Sequence, residues 1–193
     1  MVTVSEFDPR FSSRLWVAEM TEAEFFKATS ALTARGFRRI GLLGPGLDWT
    51  NPRFAGYCKA LTCHNIVFDE KLVMQNPESD EKSGFAACAK LLDRCGGMRP
   101  DALFCTTDLQ AYGALTCLAG RGLRVPEDIS VLGVDNLAES AKLDVPLSSV
   151  EFSGPEVGEA AIELLLDARL GKLPQGRMLS CPGHIVWRKS VRD

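Results

Sequence analysis

The stretch DALFCTTDLQAYGALTCLAGRGLRVPEDISVLGVD runs from Asp101 to Asp135. It opens on one short apolar run, ALFC, and closes on another, ISVLGV. Between them Asp108–Arg121 reads as a helix closed by Gly122. Two strands separated by a helix cannot pair as a hairpin; the chain must cross over, which leaves them parallel. Neither run alternates apolar with polar residues, as expected of strands buried on both faces.

The same grammar extends in both directions. Upstream, Arg38–Gly44 (RRIGLLG) is a third dry strand. Before it lies a helix over Glu22–Arg35, with Phe25, Phe26, Ala28, Thr29 and Leu32 at helical spacing, Thr21 as N-cap and Gly36 past the end. Asn51–His64 is a helix with Phe54, Tyr57, Cys58 and Leu61 on one face. Lys71–Gln75 is a short strand and Glu81–Arg94 a helix. Downstream, the strand Asp128–Val134 is followed by a strand at Ser148–Phe152 and a helix at Gly154–Leu170. Met178–Cys181, Ile185–Arg188 and, near the N-terminus, Arg14–Glu19 read as further strands. The fold class is α/β, with doubly wound parallel sheets.

The 193 residues are 46% hydrophobic and 24% charged, with a net charge of −3, the balance of a globular protein. No apolar run approaches the roughly 18–20 residues of a membrane span. The N-terminal MVTVSEFDPRFSSR lacks the basic start and apolar core of a signal peptide, which points to a cytoplasmic protein. A pI near 5.5 argues against this polypeptide alone gripping nucleic acid. The seven cysteines are an odd number, and no pair has CxxC spacing. They read as reduced thiols of a cytosolic protein, mostly in the core. Only Cys63-His64 resembles a metal-ligand pair, too little for a zinc site.

Ligands of open parallel sheets bind outside the carboxyl ends of the strands. The residues placed there are Pro45–Arg53 after IGLLG, Thr106-Thr107-Asp108 after ALFC, and Asp135-Asn136 after ISVLGV. Asp135 follows an apolar strand directly, and a carboxylate there needs donors. Arg53 offers a planar fork of donors. An acid and a guanidinium across a crevice suit a polyol or a nucleobase, and Trp49 offers a flat face for a ring. Plainer readings stand beside these. Asp135 would cap a short helix, Arg53 would be solvated, and Trp49 would pack its loop. Thr107 and Asp108 are good helix-cap residues, Asp108 above all. Gly44-Pro45-Gly46 reads as a turn, without the GxGxxG or GxxxxGK[ST] spacing of a phosphate loop. Neither GxSxG nor HExxH occurs. Histidines 64 and 184 do not follow central strands. This constellation binds rather than reacts, so no enzyme, cofactor or metal is expected.

Six segments in order resemble the lactose-repressor/galactose-repressor (LacI/GalR) family of bacterial transcription regulators: GFRRIGLLG, NPRFAGYCKAL, SGFAACAKLL, RPDALFCTTDLQAYGAL, GLRVPEDISVLGVDN and PLSSVEFSGPEVGEAAIELLL. The match runs from Thr21 to the C-terminus, and GLRVPEDISVLGVD is its most specific phrase. The resemblance implies a periplasmic-binding-protein-like effector domain of two α/β subdomains joined by three crossing strands. It implies a sugar or nucleobase between them, a homodimer, and operator DNA read by a helix-turn-helix. That element and the first half of the N-terminal subdomain are expected upstream of this chain. Residues 1–20 and 154–181 would be part of the N-terminal subdomain. Residues 21–153 and 182–193 would be the complete C-terminal one. Effector contacts carry over to Arg53 and Asp135. Thr107 stands where the family usually has Asn, and Ser79 and Gly154 stand where it often has an aromatic, so the pocket differs from the family's usual one. The other class the sequence admits is a solute-binding or receptor module of this fold that never acts on DNA.

Overall fold

The computed structural model describes residues 2–5, 15–18, 22–151, 154–170, 178–180 and 182–193. In chain order these form β1 (Val2–Ser5), β2 (Leu15–Ala18), α1 (Glu22–Ala34), β3 (Ile40–Gly44), α2 (Pro52–Cys63) and β4 (Val73–Gln75). Then come α3 (Glu81–Cys95), β5 (Ala102–Cys105), α4 (Asp108–Gly120), β6 (Ser130–Val134), β7 (Ser148–Glu151), α5 (Gly154–Arg169), β8 (Met178–Ser180) and β9 (His184–Val186).

The main sheet has six strands in the order β4-β3-β5-β6-β7-β9. Every pair is parallel except β7–β9, so the last strand departs from the all-parallel expectation. A second sheet, β1-β2-β8, is parallel throughout, and α5 packs on β1 and β2. Strand β1 was not legible in the sequence: VTVS is too short to stand out. The expected strand at Lys71–Gln75 begins instead as a single turn of 3-10 helix over Glu70–Leu72, capped by Asp69. Thr21, the expected cap of α1, lies outside the described residues, as do Phe152 and Cys181.

The dry strands are explained by two cores, one on each face of the sheet. Ile40 and Leu42 of β3, Ala102 and Phe104 of β5, and Leu132 and Val134 of β6 face Phe25, Leu32, Phe54 and Tyr57 of α1 and α2. The alternate residues Leu43, Leu103, Cys105 and Val131 face Cys88, Leu91, Ala114 and Leu118 of α3 and α4. Both periods of two are apolar, so no alternation remains to be seen. Tyr57, buried within the first core, donates its hydroxyl to the Ile40 carbonyl at 2.7 Å.

Glycines set the helix spacing on the second face. A side chain on Gly84 would strike the backbone of Gln110, and one on Gly113 would strike the Glu81 carbonyl. Helices α3 and α4 therefore touch backbone to backbone. Gly113→Ala is expected to lower stability by about 1–3 kcal/mol through overpacking. Gly120→Ala, in the same helix but facing open space, is expected to be neutral or to stabilise by up to about 1 kcal/mol. Thermal melts of the two variants separate these outcomes.

Candidate functional site

Strand order reverses between β3 and β5. The chain leaves β3 for the edge strand β4, then returns to β5 on the other side. The carboxyl ends of β3 and β5 thus face a topological switch point, where the loops that follow them diverge, the place where open α/β sheets take their ligands. Gly44 ends β3 against the side chain of Thr106, and no Cβ would fit between them. The 45–51 loop then turns back through Gly46 (φ +58). Asn51 caps α2 by accepting from the Arg53 amide at 2.8 Å, and Pro52 takes the first helical position.

That cap sets the direction of Arg53. Its guanidinium donates to the Thr106 carbonyl at 3.4 Å and lies 5.8 Å over the Phe25 ring. It is half-buried rather than a freely solvated residue of the first turn. Thr106 follows β5, and β6 is that strand's hydrogen-bonded neighbour, with Phe104 opposite Leu132. Asp135 follows directly on β6. The guanidinium, carried by α2, thus reaches the residue that follows β5, and the acid follows the neighbouring strand β6.

Asp135 has φ +104 and Asn136 φ +48, a conformation that costs free energy for side chains bearing a Cβ. Four bonds hold it. The Asp135 amide donates to the Val150 carbonyl at 2.9 Å and the Asn136 amide to the Ser149 hydroxyl at 3.0 Å. The Leu137 amide donates to Asp108 at 2.9 Å, and Arg188 donates to the Asn136 side-chain oxygen at 2.6 Å. The short 3-10 turn that follows, Ala138–Ala141, has Leu137 at its cap position and no side-chain cap. Asp135 is not its cap.

Asp108 corrects the sequence reading. The cap of α4 is Thr107, whose hydroxyl accepts from the Gln110 amide at 3.3 Å. The Asp108 carboxylate is fully buried and turned away, accepting from Ser140 at 2.5 Å and Ser149 at 2.6 Å besides Leu137. Gly133 makes room: a Cβ there would collide with the carboxylate. Because Ser140 gives its proton to Asp108, the Tyr112 hydroxyl must be the donor in its 2.7 Å bond to Ser140. Burial pushes the Asp108 carboxyl above its ordinary range, and the bonds from Ser140, Ser149 and Leu137 oppose the rise.

The other expected residues are dispersed around this rim. Trp49 is 73% exposed, edge-on to Phe54 at 5.0 Å. Ser79 is exposed, and its carbonyl accepts from the Thr107 hydroxyl at 3.3 Å, tying the 76–80 loop to the end of β5. Gly154 is the first residue of α5. One rim residue was missed. Asn76 follows β4 and is buried, its amide nitrogen bonds the Glu78 carbonyl at 2.5 Å, and its side-chain oxygen has no partner among the described residues. A separate groove of about 720 Å³ lies along the outer side of α4, between Tyr112, Leu115, Leu123 and Leu143, and none of the expected site residues lines it.

Asp108→Ala is expected to cost about 3 kcal/mol, since it strands three buried donors. The linkage sign is also set. A carboxyl with a raised folded pKa favours the fold most when protonated; that contribution fades as pH rises through the folded value. Asp108→Asn is expected to remove this slope, read from urea midpoints across the acid range.

Residues 29–191 match the family described as "Periplasmic binding protein-like domain". Among curated relatives, the HTH-type transcriptional repressor PurR of Klebsiella pneumoniae (strain ATCC 700721 / MGH 78578) is 32% identical over 164 residues, covering 84% of this chain and 47% of the relative. The chain thus spans about half the length of the curated relatives it matches. Among solved structures, the transcriptional regulator CelR–cellobiose complex aligns over 98% of this chain and 58% of its own, with TM-score 0.85 and 29% identity. A LacI-type transcription regulator from Bifidobacterium animalis subsp. lactis aligns over all of this chain and 72% of its own, with TM-score 0.88 and 25% identity.

Proposed function

Because the chain belongs to the periplasmic-binding-protein-like domain family, as an effector-binding domain of the LacI/GalR type, we propose that it senses a small molecule for a transcriptional regulator. The observation that supports this most is the rim itself: the Arg53 guanidinium reaching the Thr106 carbonyl just past β5, and Asp135 just past the neighbouring strand β6, its strained backbone pinned by four hydrogen bonds. A carboxylate accepts from neighbouring hydroxyls or ring N–H groups while a guanidinium donates to their oxygens. That pairing fits a sugar or a nucleobase-like ring. Trp49, Thr107, Ser79 and Asn76 border the same edge and would set which member of the class is taken; Gly154 would come from the second subdomain.

In this reading residues 21–153 and 182–193 supply one wall of the cleft, and 1–20 with 154–181 belong to the other subdomain. Closure of the two changes the operator affinity of a dimeric regulator through DNA-binding heads that this domain does not include. The protein works in the cytoplasm, binds its effector without a cofactor and catalyses nothing. Among the described residues, no helix is long and apolar enough to cross a membrane.

The test is a thermal-shift panel of mono- and disaccharides, nucleosides and purine bases. At a hundredfold excess over Kd one compound is expected to add about 2.7 kcal/mol, a rise of about 5–10 °C for a chain of this size. Arg53→Ala and Asp135→Ala are expected to abolish that rise while leaving the unliganded melt cooperative. A flat response across both compound classes would overturn the reading.

A further inference from the structure

The backbone at Asp135 is held from a place outside the rim. The Tyr112 hydroxyl, on the groove side of α4, donates to the Ser140 hydroxyl at 2.7 Å. Ser140 donates to one Asp108 carboxylate oxygen at 2.5 Å, and the Leu137 amide donates to the same oxygen at 2.9 Å. The other oxygen accepts from the Ser149 hydroxyl at 2.6 Å, and that hydroxyl accepts from the Asn136 amide at 3.0 Å. Hydrogen bonds thus run without a gap from the groove to Asn136, the neighbour of Asp135. The middle members, Ser140, Asp108 and Ser149, are fully buried, while Tyr112 is half-buried at the outer end.

The direction of each link is fixed by chemistry. A backbone amide can only donate, so Leu137 and Asn136 must find acceptors, and an ionised carboxylate can only accept. Asp108 therefore takes the protons of Leu137, Ser140 and Ser149 together. Ser140, its proton committed, has only acceptor capacity left, and Tyr112 fills it. A hydroxyl that accepts a bond donates a stronger one, so the tyrosine tightens the grip of Ser140 on Asp108. The same carboxylate oxygen holds the 3-10 turn at both ends, through Leu137 before it and Ser140 within it. Two further bonds tie Ser140 into that segment: its amide donates to the Leu137 carbonyl at 2.9 Å, and its carbonyl accepts from the Leu147 amide at 2.8 Å. Loosening Ser140 loosens the segment that begins at Asp135.

We propose that Tyr112, Ser140 and Asp108 are positioning residues for effector recognition, fixing the backbone from which Asp135 meets a ligand and acting through Leu137 and Ser149 rather than by touching that ligand. The inference rests on the effector-binding reading of the rim. Tyr112 is the member that reasoning from the rim alone would not reach: it lines the groove beside α4, and yet its hydroxyl sets how tightly the effector is held.

The experiment first measures amide hydrogen exchange by NMR on the isotope-labelled full chain, without ligand. Tyr112→Phe is expected to speed exchange of the Asn136 and Leu137 amides about three- to tenfold, the share of one hydrogen bond, and to leave the amides of β3 unchanged. Ser140→Ala is expected to act more strongly. The double variant is expected to be no faster than Ser140→Ala alone, because the tyrosine acts only through the serine. Thr116→Val, in the same helix and groove, removes a hydroxyl bonded to the Tyr112 carbonyl and is expected to change neither amide. Calorimetric titration then uses whichever sugar, nucleoside or purine base of the panel stabilises the wild-type chain. Its Kd is expected to weaken about three- to tenfold in Tyr112→Phe, while the unliganded melting temperature stays with that of the wild type. Unchanged exchange at Asn136 and Leu137 in Tyr112→Phe, or additive effects in the double variant, would overturn the bonded chain. Faster exchange with an unchanged Kd would overturn its part in recognition. A wild-type panel without response overturns the effector reading itself, and the exchange arm still decides whether Tyr112 positions the rim. Where Ser140→Ala does not fold, the comparison of Tyr112→Phe with Thr116→Val decides.

Discussion

Everything in the main sheet answers to one constraint: β3, β5 and β6 are dry on both faces. With Ile40, Leu42, Phe104 and Leu132 pointing to one core and Leu43, Leu103, Cys105 and Val131 to the other, no polar side chain can be placed along these strands without losing hydration. Polar chemistry is pushed to the strand ends. The parallel arrangement then gathers all the carboxyl ends on one edge, and the reversal between β3 and β5 opens that edge. The candidate site lies at that edge because the dry strands leave their polar neighbours at the strand ends.

Asp108 shows how the fold handles a charge it does bury. Its carboxylate takes bonds from two serines and one amide, so the cost of burial is offset by three donors from two different segments. Those donors are also the chain's means of fixing the loop after β6. Ser149 bridges from Asp108 to the Asn136 amide, and Leu137 bonds Asp108 directly. A buried acid that would only weaken a core by itself becomes the anchor of the rim beside it.

The architecture was largely legible because apolar runs and helical spacing report burial directly. The dry strands and the helices from α1 to α5 were all visible in the pattern. What escaped was short or non-local. VTVS is four residues with no flanking signal, and the antiparallel pairing of β9 depends on where the chain returns from, which no local pattern encodes. At the site, Asp135 could be named because it sits just past an apolar strand, and Arg53 because it opens the helix after the loop that follows one. Asp108 was assigned to its own helix because Asp at a helix start usually caps it. Its true partners lie 29 to 41 residues away, at Leu137, Ser140 and Ser149. Asn76 was hidden likewise, because its burial needs the end of β4.

The backbone at Asp135 and Asn136 carries the argument from packing to purpose. Two consecutive non-glycine residues at φ +104 and +48 cost of order 1–3 kcal/mol each. Glycine would relieve both, and a chain selected only to fold would have little reason to keep an acid and an amide there. The surrounding structure instead spends four hydrogen bonds holding them, from Val150, Ser149, Asp108 and Arg188. Strain held by that many partners fixes where a side chain points. In the proposed reading that fixed direction serves recognition: a carboxylate held at the strand ends would meet a small ring with hydroxyls or N–H groups on a particular edge.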